Sequence, residues 1–97
     1  MYIETVKVSE NNVFVAYCYN APESKSLKLV IIKATYQSKD DPTLTVADVT
    51  DKVRKRCGEK KSCKFTVNDA TLQKHMCFDC SKELEITYAC SYHRSKI

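Results

Sequence analysis

Glycine is almost missing from this 97-residue chain, and Gly58 is its only example. A glycine-rich phosphate cradle is therefore excluded, because such loops need several residues without a Cβ close to the ligand. No apolar run approaches the roughly 20 residues that a membrane-crossing helix requires, so no membrane insertion is expected. A second CxxC motif to complement Cys77–Cys80 is lacking, which argues against a four-ligand zinc site. There is no Asn-x-Ser/Thr sequon, internal repeat or linker. No Ser/His/Asp order or paired-carboxylate motif stands out, and His75 and His93 lie far apart. The chain is expected to bind rather than catalyse, with no cofactor and no metal. The opening MYIETVKV lacks the apolar centre of a signal peptide. Met1 is expected to be an expression start or the end of a trimmed leader. The closing Ser95-Lys96-Ile97 is only a weak peroxisomal address and conflicts with disulfides.

What is present is cysteine. Six in a chain this short suggest a disulfide framework and an oxidising compartment, hence secretion or an extracellular location. A single domain of this length, 1–97, buries only about 60–65% of its unfolded surface, so covalent staples are useful. Metal-holding cysteines in a cytosolic chain are the weaker alternative. The spacing alone leaves many pairings open. Net charge is +4, which favours solubility more than any particular partner.

Tyr2 to Val8 alternates as a strand does, with Tyr2, Glu4, Val6 and Val8 on one side. Val13 to Tyr19 is rich in β-branched and aromatic residues and reads as a second strand. Leu27 to Tyr36 is the most hydrophobic run and predicts a central strand, followed by a polar loop over Gln37 to Thr43. Val46, Val49 and Val53 recur at helical spacing and predict the main helix over 46–57. Thr45 and Asp48 are its expected cap, and basic residues load its last turn. Gly58 is expected to end it in a left-handed conformation. Cys63 to Val67 reads as a short strand, Ala70 to Lys74 as one helical turn, and Glu83 to Cys90 as a half-buried strand. The tail 91–97 is polar. The predicted fold class is α+β: a small disulfide-stapled antiparallel β-sandwich of about five strands with one main helix.

Four segments together resemble the galactose/rhamnose-binding lectin domain of sea urchin egg lectin, also found in latrophilin-type receptors. Ile31 to Ser38 matches I-x-x-A-x-Y-G-R, and Val53 to Cys63 matches V-x-x-R-C-x-x-x-x-x-C. His75 to Cys77 stands at D-P-C, and Lys82 to Cys90 matches K-Y-L-E-V-x-Y-x-C. The resemblance covers about residues 10–90. It implies Cys18–Cys90 and Cys57–Cys63 disulfides. One family pair is lost together, with Ser9 standing at its first position. Cys77 lacks its usual partner while Cys80 is extra, so a local Cys77–Cys80 bridge is expected.

The resemblance also implies a sugar site at Glu10, Tyr36 and Lys82, where a carboxylate and an ammonium meet hydroxyls and a tyrosine ring supplies an apolar face. Gln37-Ser38 replaces Gly-Arg and His75-Met76 replaces Asp-Pro, so the site reads as degenerate. The expected function is an extracellular lectin-like module binding a glycan. The alternative is the same scaffold recognising a cell-surface protein without sugar. The basic run Lys52-Val53-Arg54-Lys55-Arg56, with Lys60, Lys61 and Lys64, is read as a solvated helix face. Heparin-type binding is its minor alternative, and no specific nucleic-acid partner is expected.

Overall fold

The computed structural model describes residues 3–18, 27–40, 46–74 and 80–92. Tyr2 and Thr45 therefore lie outside the described residues, as do His75, Cys77 and the 93–97 end of the tail.

Strand β1 (Ile3–Ser9) turns sharply into β2 (Val13–Tyr17). Asn12 N–H donates to Ser9 O at 3.0 Å, and Asn11 takes φ 73°, which a short polar side chain tolerates. The long strand β3 (Leu27–Ser38) follows, then β4 (Val46–Asp48), helix α1 (Thr50–Cys57), β5 (Ser62–Thr66), the short α2 (Asp69–Leu72) and β6 (Lys82–Tyr92). The strands form two antiparallel sheets, β1-β6-β3-β4 and β2-β5. The domain is thus a small disulfide-linked α+β sandwich.

The core lies between the sheets. Phe14 and Ala16 of β2 and Phe65 of β5 point inward at Leu29, Ile31, Leu84 and Ile86 of the large sheet, with Val53 of α1 closing one side. Phe14 joins the layers: its ring centroid is 5.3 Å from Phe65 and 5.9 Å, edge-on, from Tyr88.

The register of β3 against β6 shifts between Ile31 and Lys33. Ile32 is the extra residue of a β-bulge, and it changes the parity of the strand. Leu29 and Ile31 face the core before it; Ala34 and Tyr36 face the core after it. Uninterrupted alternation would have sent Tyr36 to the opposite face.

Three expectations need correction. The main helix begins at Thr50, not Val46. Val46 to Asp48 instead pair with Gln37 to Thr35 as an edge strand, which leaves Val46 57% exposed. Val49 and Val53 do face the core. The helix start is tied by Thr50, whose N–H donates to Asp48 Oδ1 at 2.9 Å. Thr50 Oγ1 also accepts from Ala34 N–H at 2.9 Å, which binds the helix to β3 just past the bulge. The Thr50 hydroxyl and N–H hold the Asp48 carboxyl below its ordinary pKa.

Second, Gly58 is not left-handed. It is extended at φ −61° and ψ 135°, while Glu59 takes the left-handed φ of 62°. Glycine is required for space: a Cβ there would sit 2.7 Å from Arg54 O. The Gly58 N–H donates to that same carbonyl at 2.7 Å. Third, Gln37 and Ser38 belong to β3 and are buried. Gln37 Nε2 donates to Glu83 Oε2 at 2.9 Å, so the polar pair is satisfied across the ladder.

Cys18 is bonded to Cys90, tying the small sheet to the large one, and Cys57 to Cys63, tying α1 to β5. These are the two pairings that the resemblance implies. Cys80 is disulfide-bonded; the expected Cys77–Cys80 staple has its Cys77 end outside the described residues.

The first link spans 72 residues and the second 6. Loop-closure entropy then predicts that Cys18→Ser destabilises by roughly 4 kcal/mol and Cys63→Ser by roughly 2 kcal/mol. Denaturant unfolding of the two variants measures both, and equal losses would contradict the loop-length account. Gly58→Ala should cost about 1–3 kcal/mol through the collision with Arg54 O, read as a lower thermal midpoint with unchanged near-UV circular dichroism.

Candidate functional site

The predicted residues Glu10, Tyr36 and Lys82 come from three distant parts of the chain. The fold brings them to one end of the sandwich. Glu10 follows β1, where its N–H donates to Lys82 O at 2.8 Å and so extends the β1–β6 ladder. Lys82 opens β6 opposite Ser38, and Tyr36 pairs with Leu84 on the same inner face.

Lys82 Nζ lies 3.3 Å from Glu10 Oε2. It also lies 3.2 Å from Asp69 Oδ1 and 3.3 Å from Asp69 Oδ2. The Tyr36 hydroxyl donates to Asp69 Oδ1 at 2.7 Å. Asp69 is therefore the hub that joins Tyr36 to the Glu10–Lys82 pair. It is the first residue of α2, whose start is fixed by Asn68: the Asn68 Oδ1 accepts from Thr71 N–H at 2.7 Å.

Reading the sequence missed Asp69. Its signal was local: Asn-Asp before a helical turn is an N-cap followed by a first-turn acid. The sequence match instead looked for the family's acid at His75, which lies outside the described residues.

Burial divides the cluster into a floor and a rim. Tyr36 is fully buried, so its ring is not a stacking face for a sugar, contrary to the expectation. Its role is the hydroxyl given to Asp69. The Lys82 side chain is 5% exposed, whereas those of Glu10 and Asp69 are 27% and 24% exposed. The rim thus presents two carboxylates above one ammonium, with a formal charge of −1.

Desolvation and the Asp69 carboxylate that accepts its proton both raise the Tyr36 pKa far above its ordinary 10.0. Burial alone would lower that of Lys82, but the hydrogen bonds and charges of Asp69 and Glu10 outweigh it and move it above 10.5. Among the described residues no group of three or more His, Cys, Asp or Glu could hold a metal ion. No helix among them is long and apolar enough to cross a membrane. The arrangement can accept hydrogen bonds from hydroxyls or ammonium groups at its rim.

No protein-family model matches the chain, and a search of curated proteins finds no match. The lectin resemblance therefore rests on the four motif segments alone.

Both Tyr36 and Lys82 hold their protons more tightly folded than unfolded. The stability they contribute is complete below their ordinary values of 10.0 and 10.5 and is lost as pH rises through the higher folded values. In an alkaline titration followed by phenolate absorbance, Tyr36 should ionise only when the chain unfolds. The Tyr36→Phe variant should lose that late step. Asp69→Ala should cost about 2–4 kcal/mol, since it strips acceptors from both Tyr36 and Lys82. Glu10→Ala, losing one contact at a more open edge, should cost about 1 kcal/mol. Chemical denaturation of the two variants compares them.

Proposed function

We propose that this chain is an extracellular lectin-like binding module whose ligand is a glycan taken at the Glu10–Lys82–Asp69 rim. One observation carries the reading. The three residues singled out by the resemblance, at positions 10, 36 and 82, meet in a single polar cluster with Asp69. A second is consistent with it: the disulfides suit an oxidising, extracellular-type environment.

The chemistry suits vicinal hydroxyls. Hydroxyls donate as well as accept, so a diol can donate to the Glu10 and Asp69 carboxylates, which the buried Lys82 ammonium holds side by side. Such charge-assisted bonds are the stronger ones. Tyr36 positions Asp69 from below. With its ring buried and no flanking Gly-Arg, the rim offers a sugar few apolar contacts, and the expected affinity is millimolar rather than micromolar.

A second reading is recognition of a cell-surface protein on the same scaffold. It is favoured by the outward side of β2, where Val13, Val15 and Tyr17 are all exposed in one row. Aromatic and apolar side chains of this kind are typical of interface centres.

The deciding experiment is an NMR titration of the oxidised chain with L-rhamnose and D-galactose up to tens of millimolar, a range chosen on the order of the expected Kd. Saturable shifts at Glu10, Asp69 and Lys82, abolished in Glu10→Gln, are the expected result. Absence of shifts from a folded sample would discard the sugar reading and leave the protein one.

A further inference from the structure

Helix α1 and the α2 segment border a groove of about 220 Å³, lined by Lys52, Lys55, Arg56, Thr71 and Gln73. Three of these carry positive charge and none is a carboxylate. The one acid of the helix, Asp51, faces Arg54, its Oδ1 3.6 Å from Nη1, and the neighbouring Asp48 of β4 ties the helix start. The groove is thus a concave surface with three formal positive charges.

Two of the cations are held in place. Lys52 Nζ donates to Gln73 O at 2.8 Å, and that carbonyl is oriented by the left-handed φ of 53° at Gln73. The Arg56 guanidinium lies over the Phe65 ring, 5.9 Å from its centroid. Holding long cationic side chains before a ligand arrives lowers the entropy lost on binding. A merely solvated helix face would not require either contact.

We propose that this groove binds a sulfated glycan chain. Sulfate groups supply fixed negative charge and acceptor oxygens for Lys52, Lys55 and Arg56, while the Thr71 hydroxyl and Gln73 amide suit sugar hydroxyls. The groove has room for about one sulfated sugar unit, with the chain continuing over its open sides. Nucleic acid is the poorer fit. Base recognition on single strands uses exposed aromatic platforms, and the Phe65 ring beneath Arg56 is in the core. Disulfide-bonded chains also work in compartments where sulfated polysaccharides are the common polyanions. The groove adjoins α2, which also carries Asp69, but the Glu10–Lys82–Asp69 rim has a net charge of the opposite sign.

The test is calorimetric titration of the oxidised chain with a size-defined heparin oligosaccharide in sodium chloride from about 50 to about 300 mM. Affinity should fall linearly on a log–log salt plot, as counterion release demands. The Lys55→Ala/Arg56→Ala variant should bind at least about tenfold more weakly and lose about two from the salt slope. Lys28→Ala/Lys33→Ala removes the same charge from β3, outside the groove, and should change affinity less than about twofold. Should Arg56 prove needed for folding, the exposed single change Lys55→Glu carries the same expectation of weaker binding. Equal losses from both double variants, or no binding at the lowest salt, would overturn the proposal. So would equally tight binding of a single-stranded oligonucleotide of matched charge, because the ligand would then be any polyanion.

Discussion

A single inserted residue in β3 governs the inner face of this domain. Up to Ile31 the strand turns its odd positions, Leu29 and Ile31, to the core; beyond Ile32 it turns Ala34 and Tyr36 there. A pleated strand has a period of two, so only an irregularity can switch which set faces the core. The switch carries Ala34 and Tyr36 inward. Ala34 N–H then meets the Thr50 hydroxyl, which sets where α1 begins. Tyr36 meets Asp69, which fixes α2 against the large sheet. Helix entry, core filling and the polar cluster all follow from the same bulge.

Much of the architecture was legible in local pattern. The β-branched and aromatic run at Val13 to Tyr17 forms a strand with one buried and one solvated face, and Leu84 and Ile86 are buried as their alternation predicts, although Ala89 is buried on the other side of β6. The bulge was not legible. Val30, Ile31 and Ile32 are successive aliphatics, so the side on which the extra residue fell left no mark in the sequence. The helix start was misread for a related reason. Val46, Val49 and Val53 fit a helical stripe, yet valine also suits an edge strand, and pairing with β3 decided in favour of the strand. Gly58 shows the limit of residue-type rules: its position after the helix was read correctly, while the cause is the nearness of Arg54 O rather than backbone handedness.

The polar cluster was partly legible. The family resemblance picked out Glu10, Tyr36 and Lys82, and their convergence required the whole sheet order. Asp69 escaped because its neighbours in sequence have no visible relation to β3 or β6; only the fold closes that distance. A lysine ammonium this deeply covered persists because carboxylates on two sides replace the water it has lost.

The sandwich is fastened differently at its two ends. Cys18 leaves β2 beside Lys61, and Cys63 pairs with Ala16, so both described disulfides gather at one end of the small sheet. The Glu10–Lys82–Asp69–Tyr36 cluster lies at the other. One clasp is covalent and answers to thiols; the other is ionic and answers to protons. A reducing medium would weaken the first and leave the second intact. Strong alkali would do the reverse. The stability of the domain is therefore sensitive to two separate features of its chemical surroundings, acting at opposite ends.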